Sequence, residues 1–348
     1  MKTPWQLTRT TINDLLYIKE FAMHEKIKIK CIGFSVTGYG EPAYPIVISQ
    51  RLKELGIDAE VSYNSIGGLS IDSLPFLLKS FVKKGDADLV VLELATSWFS
   101  LIHTNINSAI KYINLITSYL ESIETRIIFL NLYRENINDE DIVVEAIKSI
   151  SHNKYPVLDF KKNFRQQLKN SNDDGTIDGV HPRQDTINFM VGQFCDFLVE
   201  NYSSLNSFSN LTNFESLLNL EIPPSLHECE VFKFKNRHGI DLDSYKIPWG
   251  TRIKHEFEER IILTGLFFLY GPDTNQINLY LDNEKINIPM KDSMSFYRRL
   301  GYKHFGSIEV KSIEIEHPAE SIKIQLAKET IVEIKTFSNY IIGFTKHI

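Results

Sequence analysis

The stretch IKCIGFSVTGYG, residues 29–40, runs from an apolar segment straight into a serine flanked by glycines. A short apolar run bounded by glycine has the length and composition of a buried strand rather than a helix. Ligand sites of open α/β sheets form beyond the carboxyl ends of the strands. Ser35 therefore stands either at such a site or in an ordinary turn, where serine between glycines is common.

Comparable runs recur on both sides of a helical pattern. IKIKCIGF (27–34), AEVSYN (59–64), ADLVVLEL (87–94), TRIIFLNL (125–132) and YPVLDF (155–160) read as strands. NINSAIKYINLITSYLESI (105–123) reads as a helix whose Ile106, Ile110, Ile113, Leu120 and Ile123 share one face. Five strands joined by helical crossovers predict a doubly wound parallel α/β domain over residues 27–200. The preceding residues 1–26 mix charge with apolar positions at helical spacing and read as a helical extension. They lack the compact apolar core and small-residue cleavage site of an export signal.

The character then changes. Residues 201–228, rich in Ser and Asn and containing a Pro pair, read as a linker. From Cys229 the apolar period becomes two, predicting a smaller antiparallel β-sandwich over 229–348. QINLYLDNEKINIPM (276–290) reads as a hairpin turning at Asp282 to Lys285. In SIEVKSIEIEH (307–317) the alternation slips phase between Val310 and Ile313, which requires a bulge or two separate strands.

Composition narrows the function classes. The chain has 348 residues, 43% hydrophobic and 24% charged, with a formal net charge of −6 that gives no general attraction to nucleic acid or anionic lipid. No apolar run is long enough to span a bilayer. Cys31, Cys195 and Cys229 form neither a disulfide framework nor a zinc pattern. Together these features predict a cytoplasmic protein without cofactor or metal.

A serine nucleophile needs an oriented base. DGTIDGVHPRQDT (174–186) places Asp178 and His181 three residues apart in a polar loop before a helical pattern, a spacing that lets a carboxylate hold one ring nitrogen while the other faces outward. The same residue types also suit a turn residue and a solvated loop histidine. The nearby NSNDDGTIDGVH (170–181) imitates part of a calcium loop, but His181 stands where the bidentate Glu belongs. Two further segments follow strands, where oxyanion donors would lie: YNSIGGLSI (63–71), with Gly67 and Gly68, and LELATSWF (92–99).

In this order, the four segments resemble the blocks of the SGNH hydrolases, the GDSL esterase/lipase family, over residues 27–200. The resemblance implies a flavodoxin-like domain in which Ser35 is the nucleophile, His181 the base and Asp178 its orienter. It implies oxyanion donors at the amides of Ser35 and Gly68, with Gly67 the one-residue alternative. Phe34 replaces the aspartate of the first block. In the third, Ala95 replaces Gly, Ser97 replaces the oxyanion Asn, and Trp98 replaces Asp. Ser97 is thus the side chain at the third oxyanion position.

The implied function is a short-chain (acetyl) ester hydrolase acting on a carbohydrate or glycan precursor. A carbohydrate O-acetyltransferase using the same triad is the variant, and a catalytically degenerate glycan- or protein-binding module is the alternative of another class. Trp249, Phe257, Phe267, Phe268, Tyr270, Tyr280, Phe296 and Tyr297 of the C-terminal domain are either core or stacking faces for sugar rings. His103, near the end of the third strand, and Arg183, beside His181, read either as solvated loop residues or as substrate contacts in the same crevice, and neither as catalytic.

Overall fold

The structure, a computed structural model, describes residues 26–97, 99, 104–132, 141–152, 154–160, 176–177, 179–205, 220–292, 295–318, 322–327, 330–334 and 338–346. Residues 1–25 of the expected extension and 206–219 of the expected linker lie outside that set. The chain divides into two compact units, Met1–Glu215 and Ser216–Ile348.

In the first unit all five expected strands form: β1 (Ile27–Gly33), β2 (Ala59–Ser65), β3 (Leu89–Glu93), β4 (Arg126–Asn131) and β5 (Val157–Asp159). They build one parallel sheet in the order β2-β1-β3-β4-β5. The chain leaves β1 toward β2 on one side and returns to β3 on the other. A crevice therefore opens at the carboxyl ends of β1 and β3, where the winding reverses. The register brings the three loop starts level: Gly33 pairs with Ser65 on one side and with Glu93 on the other.

Helices cover both faces. A single turn, α1 (Ser35–Gly38), leads to α2 (Tyr44–Glu54), then α3 (Ile106–Ser122), α4 (Ile142–Ser151) and α5 (Gln184–Asn201). α2 and α5 pack together, and Ile48, Leu52, Met190, Phe194 and Leu198 meet Ile29, Cys31, Leu89, Val91 and Leu130 of the sheet in one core. α3 packs with α4 and touches β4. α3 starts where Asn105 accepts a hydrogen bond from the Asn107 amide at 2.9 Å, and α4 where Asp141 accepts from Val143 at 2.9 Å. These caps satisfy amides that have no partner inside the helix. Ile113, Leu120 and Ile123 are buried as the pattern requires, whereas Ile106, in the first turn of α3, is exposed.

Burial also accounts for the cysteines. Cys31 and Cys195 are buried free thiols, and removal from water raises both thiol pKa values, that of Cys195 to about 12. No helix among the described residues is long and apolar enough to cross a membrane.

The second unit is antiparallel β. β6 (Leu220–Glu221), β7 (Glu230–Lys235), β8 (Asp241–Ile247), β9 (Arg252–Tyr270), β10 (Gln276–Leu281), β11 (Glu284–Pro289), β12 (Arg299–Glu316) and β15 (Asn339–Lys346) form an eight-stranded sheet. Its order is β11-β10-β12-β9-β15-β8-β7, with β6 paired to β15. β13 (Ile322–Ala327) and β14 (Thr330–Ile334) form a separate hairpin. Leu263, Leu266, Phe268, Leu279, Ile313, Ile341 and Phe344 share its core.

The β10–β11 hairpin turns through Asp282 and Asn283, both at positive φ (47° and 79°). Asn and Asp tolerate this region better than most residues, which suits them to two-residue hairpin loops. The phase slip in β12 is a register shift against β9 between Val310 and Ser312. The two features meet: Asp282 accepts hydrogen bonds from the amides of Lys311 at 2.9 Å and Ser312 at 2.7 Å. The Lys311 amide, first among these donors, holds the Asp282 carboxyl below the usual carboxylate range.

Replacing Asp282 with Ala is expected to destabilise the C-terminal domain by about 1–2 kcal/mol at pH 7. Because the folded-state pKa is depressed, the contribution is complete above the unfolded value of about 4 and is lost as pH falls through the folded value. Urea unfolding at pH 7 and pH 3 checks both: the difference between wild type and Asp282→Ala narrows at the lower pH.

Candidate active site

Ser35 opens α1 immediately beyond β1 and is half-buried. The loop that carries it is fixed by groups from neighbouring strand ends. Glu93, at the end of β3 and fully buried, accepts from the Phe34 amide at 3.4 Å, the Thr96 amide at 3.0 Å and the Thr96 hydroxyl at 2.7 Å. Ser65, at the end of β2, donates to the Phe34 carbonyl at 2.6 Å, and the Ile66 amide donates to Gly33 at 3.0 Å. Three strand ends are thereby tied around one dipeptide.

Gly33 is required by this crowding. A Cβ there would run into Thr37 Oγ1 and lie 2.8 Å from both Glu93 Cβ and the Glu93 carbonyl oxygen, closer than real Cβ contacts. Phe34 puts its ring in the core, 1% exposed. The loop order that a polar side chain at position 34 would supply comes instead from Glu93 and Ser65. Below the loop, the Thr37 hydroxyl pairs with the Tyr44 phenol at 3.3 Å, whose pKa burial pushes well up.

The glycine pair lies beside the serine. A Cβ on Gly67 would stand 3.5 Å from Ser35 Cβ, and Gly68 adopts φ +77°, the left-handed region that favours glycine. Both glycines are exposed, so their backbone is open to a ligand. Ser97, in the turn after β3, is 4% exposed, and its hydroxyl finds no hydrogen-bond partner among the described residues. Its amide donates to Leu94 at 3.2 Å. Ala95 is buried.

The histidine segment is a closed turn. Thr176 and Pro182 form an antiparallel bridge, the Ile177 amide donates to the His181 carbonyl at 2.8 Å, and the Gly179 amide donates to Thr176 Oγ1 at 3.0 Å. Val180 packs against the core beneath. The half-buried His181 stacks its ring on Tyr39, centroids 3.9 Å apart and planes 22° from parallel. Tyr39 lies four residues beyond Ser35, so the turn before α5 meets the loop after β1. Arg183 pairs with Asp185 at 3.0 Å, which lowers the Asp185 pKa. Asp178, Trp98 and His103 lie outside the described residues, as do positions 170–175 of the calcium-like segment. No cluster of three metal-ligating side chains occurs among the described residues.

The sequence reading did not single out Glu93, Ser65 or Tyr39. Glu93 had a signal: a carboxylate within the apolar run ADLVVLEL is either paired or costly.

No protein-family model matches the chain, and no curated protein matches it. Solved structures do. A two-domain esterase active on acetylated mannans aligns with TM-score 0.66 at 12% identity, covering 96% of this chain and 95% of that one. The same esterase co-crystallised with mannopentaose aligns with TM-score 0.64 at 12% identity, covering 97% and 95%. The fold is that of the SGNH hydrolases. The likeness runs through both domains.

Glu93→Ala is expected to leave the Phe34 and Thr96 amides without their acceptor and to destabilise the N-terminal domain by about 2–4 kcal/mol. Thermal unfolding followed by circular dichroism checks this. Glu93→Gln, which keeps one acceptor, should lose roughly half as much.

Proposed function

We propose that the protein is a serine ester hydrolase of SGNH type that removes short acyl groups, acetyl foremost, from a carbohydrate. The observation that carries this reading is the Tyr39–His181 stack, which brings the only histidine of the closed turn to the loop headed by Ser35. Ser35 attacks the ester carbonyl while His181 takes its proton and returns it to the leaving sugar hydroxyl. Asp178 holds the imidazole. The amides of Ser35 and Gly68 and the Ser97 hydroxyl face the developing oxyanion, and water then releases the acyl group.

Two features support Ser97 in that part. Its hydroxyl is buried without a partner among the described residues, at a cost of about 1–3 kcal/mol, and such orphans persist where a ligand completes them. It also follows β3, beside the strand that leads to Ser35. A sugar hydroxyl in place of water would make the same machinery an acetyltransferase.

The C-terminal domain supplies a place for the glycan. Phe257, Phe267 and Phe268 are core, whereas Phe296 and Tyr297 are exposed, at 71% and 47%. Phe232, Pro272, Asp273 and Arg298, the last of them next to Tyr297 in sequence, line a groove of about 660 Å³. The Arg298 guanidinium lies against the rings of Phe232 and Tyr340, 4.8 and 5.0 Å from their centroids, and the two rings stand 4.9 Å from each other. Arg298 Nε and Asp273 Oδ1 have no partner among the described residues. A donor, an acceptor and aromatic faces together suit a neutral saccharide. The likeness to the esterase crystallised with mannopentaose favours a mannan.

A fluorophosphonate probe and acetylated mannan test the reading. Wild type is expected to be labelled and to release acetate, while Ser35→Ala and His181→Ala lose at least about 10³-fold in turnover. A wild type that binds mannan without labelling would instead assign a binding role. Arg298→Ala is expected to raise KM on polymeric acetylated mannan roughly 3- to 10-fold and to leave p-nitrophenyl acetate hydrolysis unchanged.

A further inference from the structure

The arrangement around His181 goes beyond the three reacting groups. The Tyr39 ring covers one face of the imidazole at 3.9 Å, nearly parallel. The segment holding Tyr39 has little freedom of its own. The Tyr39 amide donates to Val36 at 3.4 Å, closing α1, and Gly40 at φ +103° forms a bridge to Ala43. A Cβ on Gly40 would lie 3.2 Å from Ile187 Cδ1 in the first turns of α5, the helix that begins three residues after His181. The backbone next to Tyr39 thus closely approaches the helix that His181 precedes.

We infer that Tyr39 is a positioning residue for His181, its ring holding the imidazole in the plane that serves Ser35 and meeting the imidazolium face-on as the proton arrives. This inference rests on the reading of His181 as the base. Ser35 Oγ gives up its proton to the facing ring nitrogen as the oxygen–acyl bond forms. The imidazole becomes cationic, and that proton passes to the leaving hydroxyl as the ester bond breaks. An aromatic face attracts a cation electrostatically, so the stack is worth more after the transfer than before it. It also limits rotation of the imidazole about its side-chain bonds. The benefit falls in the transition state, so it acts on kcat rather than on substrate binding.

The ring, not the hydroxyl, carries this role. Tyr39→Phe is therefore expected to keep kcat within about twofold, while Tyr39→Leu lowers kcat on p-nitrophenyl acetate and the fluorophosphonate labelling rate roughly 3- to 30-fold with KM unchanged. Thermal melts accompany both variants. Should Tyr39→Leu fail to fold, proton NMR of the wild type decides: His181 ring signals, assigned by their loss in His181→Asn, should be shifted upfield by the aromatic face and relax to ordinary positions in Tyr39→Ala or Tyr39→Met. Equal kcat and labelling in Tyr39→Leu, a loss in Tyr39→Phe as large as in Tyr39→Leu, or unshifted His181 signals would overturn the inference. A wild type that is not labelled at all would overturn the reading of Ser35 and His181 itself.

Discussion

The Glu93 carboxylate is the constraint around which the crevice is built. Fully buried, it is tolerable only because donors from two loops converge on it. One of those donors belongs to the residue before Ser35 and two to the turn that delivers Ser97. Neither loop can shift without leaving a buried carboxyl oxygen short of its donors, so these hydrogen bonds help to fix the loops at the ends of β1 and β3. The β-sheet register does the rest by holding Gly33 level with both Ser65 and Glu93.

That arrangement explains how the first block tolerates an apolar residue. Phe34 turns its ring into the core and leaves its backbone to do the ordering: its amide goes to Glu93 and its carbonyl takes the Ser65 hydroxyl. Backbone groups survive side-chain replacement, and two of the three proposed oxyanion donors are backbone amides. The third position is where chemistry depends on a side chain, and there a short hydroxyl stands in a buried site.

The N-terminal fold was legible because its signals are local. Each strand is an apolar run with a glycine or polar boundary, and the phase slip after Val310 announced a real register shift. The helix periodicity of α3 held at Ile113, Leu120 and Ile123, whereas Ile110 is half-buried and Ile106, in the first turn, is exposed. The serine, the histidine and the glycines were legible as a spaced set of residue types. The bonds by which Glu93 and Ser65 fix Phe34 were not, since they join residues 59 and 31 positions apart and no periodicity records such contacts. The Tyr39–His181 stack is hidden for the same reason: it exists only once α5 has closed the far end of the domain. For the C-terminal aromatics, composition did not say which were wet; Phe268, inside β9, is buried and Phe296, in the turn before β12, is exposed.

The place of β15 bears on how the protein is made. It is the latest strand of its domain in sequence, yet it lies inside the sheet, between β8 and β9, and β6 also pairs with it. The SGNH-type domain has its last core helix by Asn201 and can close while the ribosome is still translating the β-domain. The β-domain has no such option. Until residues 339–346 emerge, β8 and β9 present unpaired edges toward each other, and the half-built sheet is the stage of synthesis most exposed to mispairing and to chaperone capture.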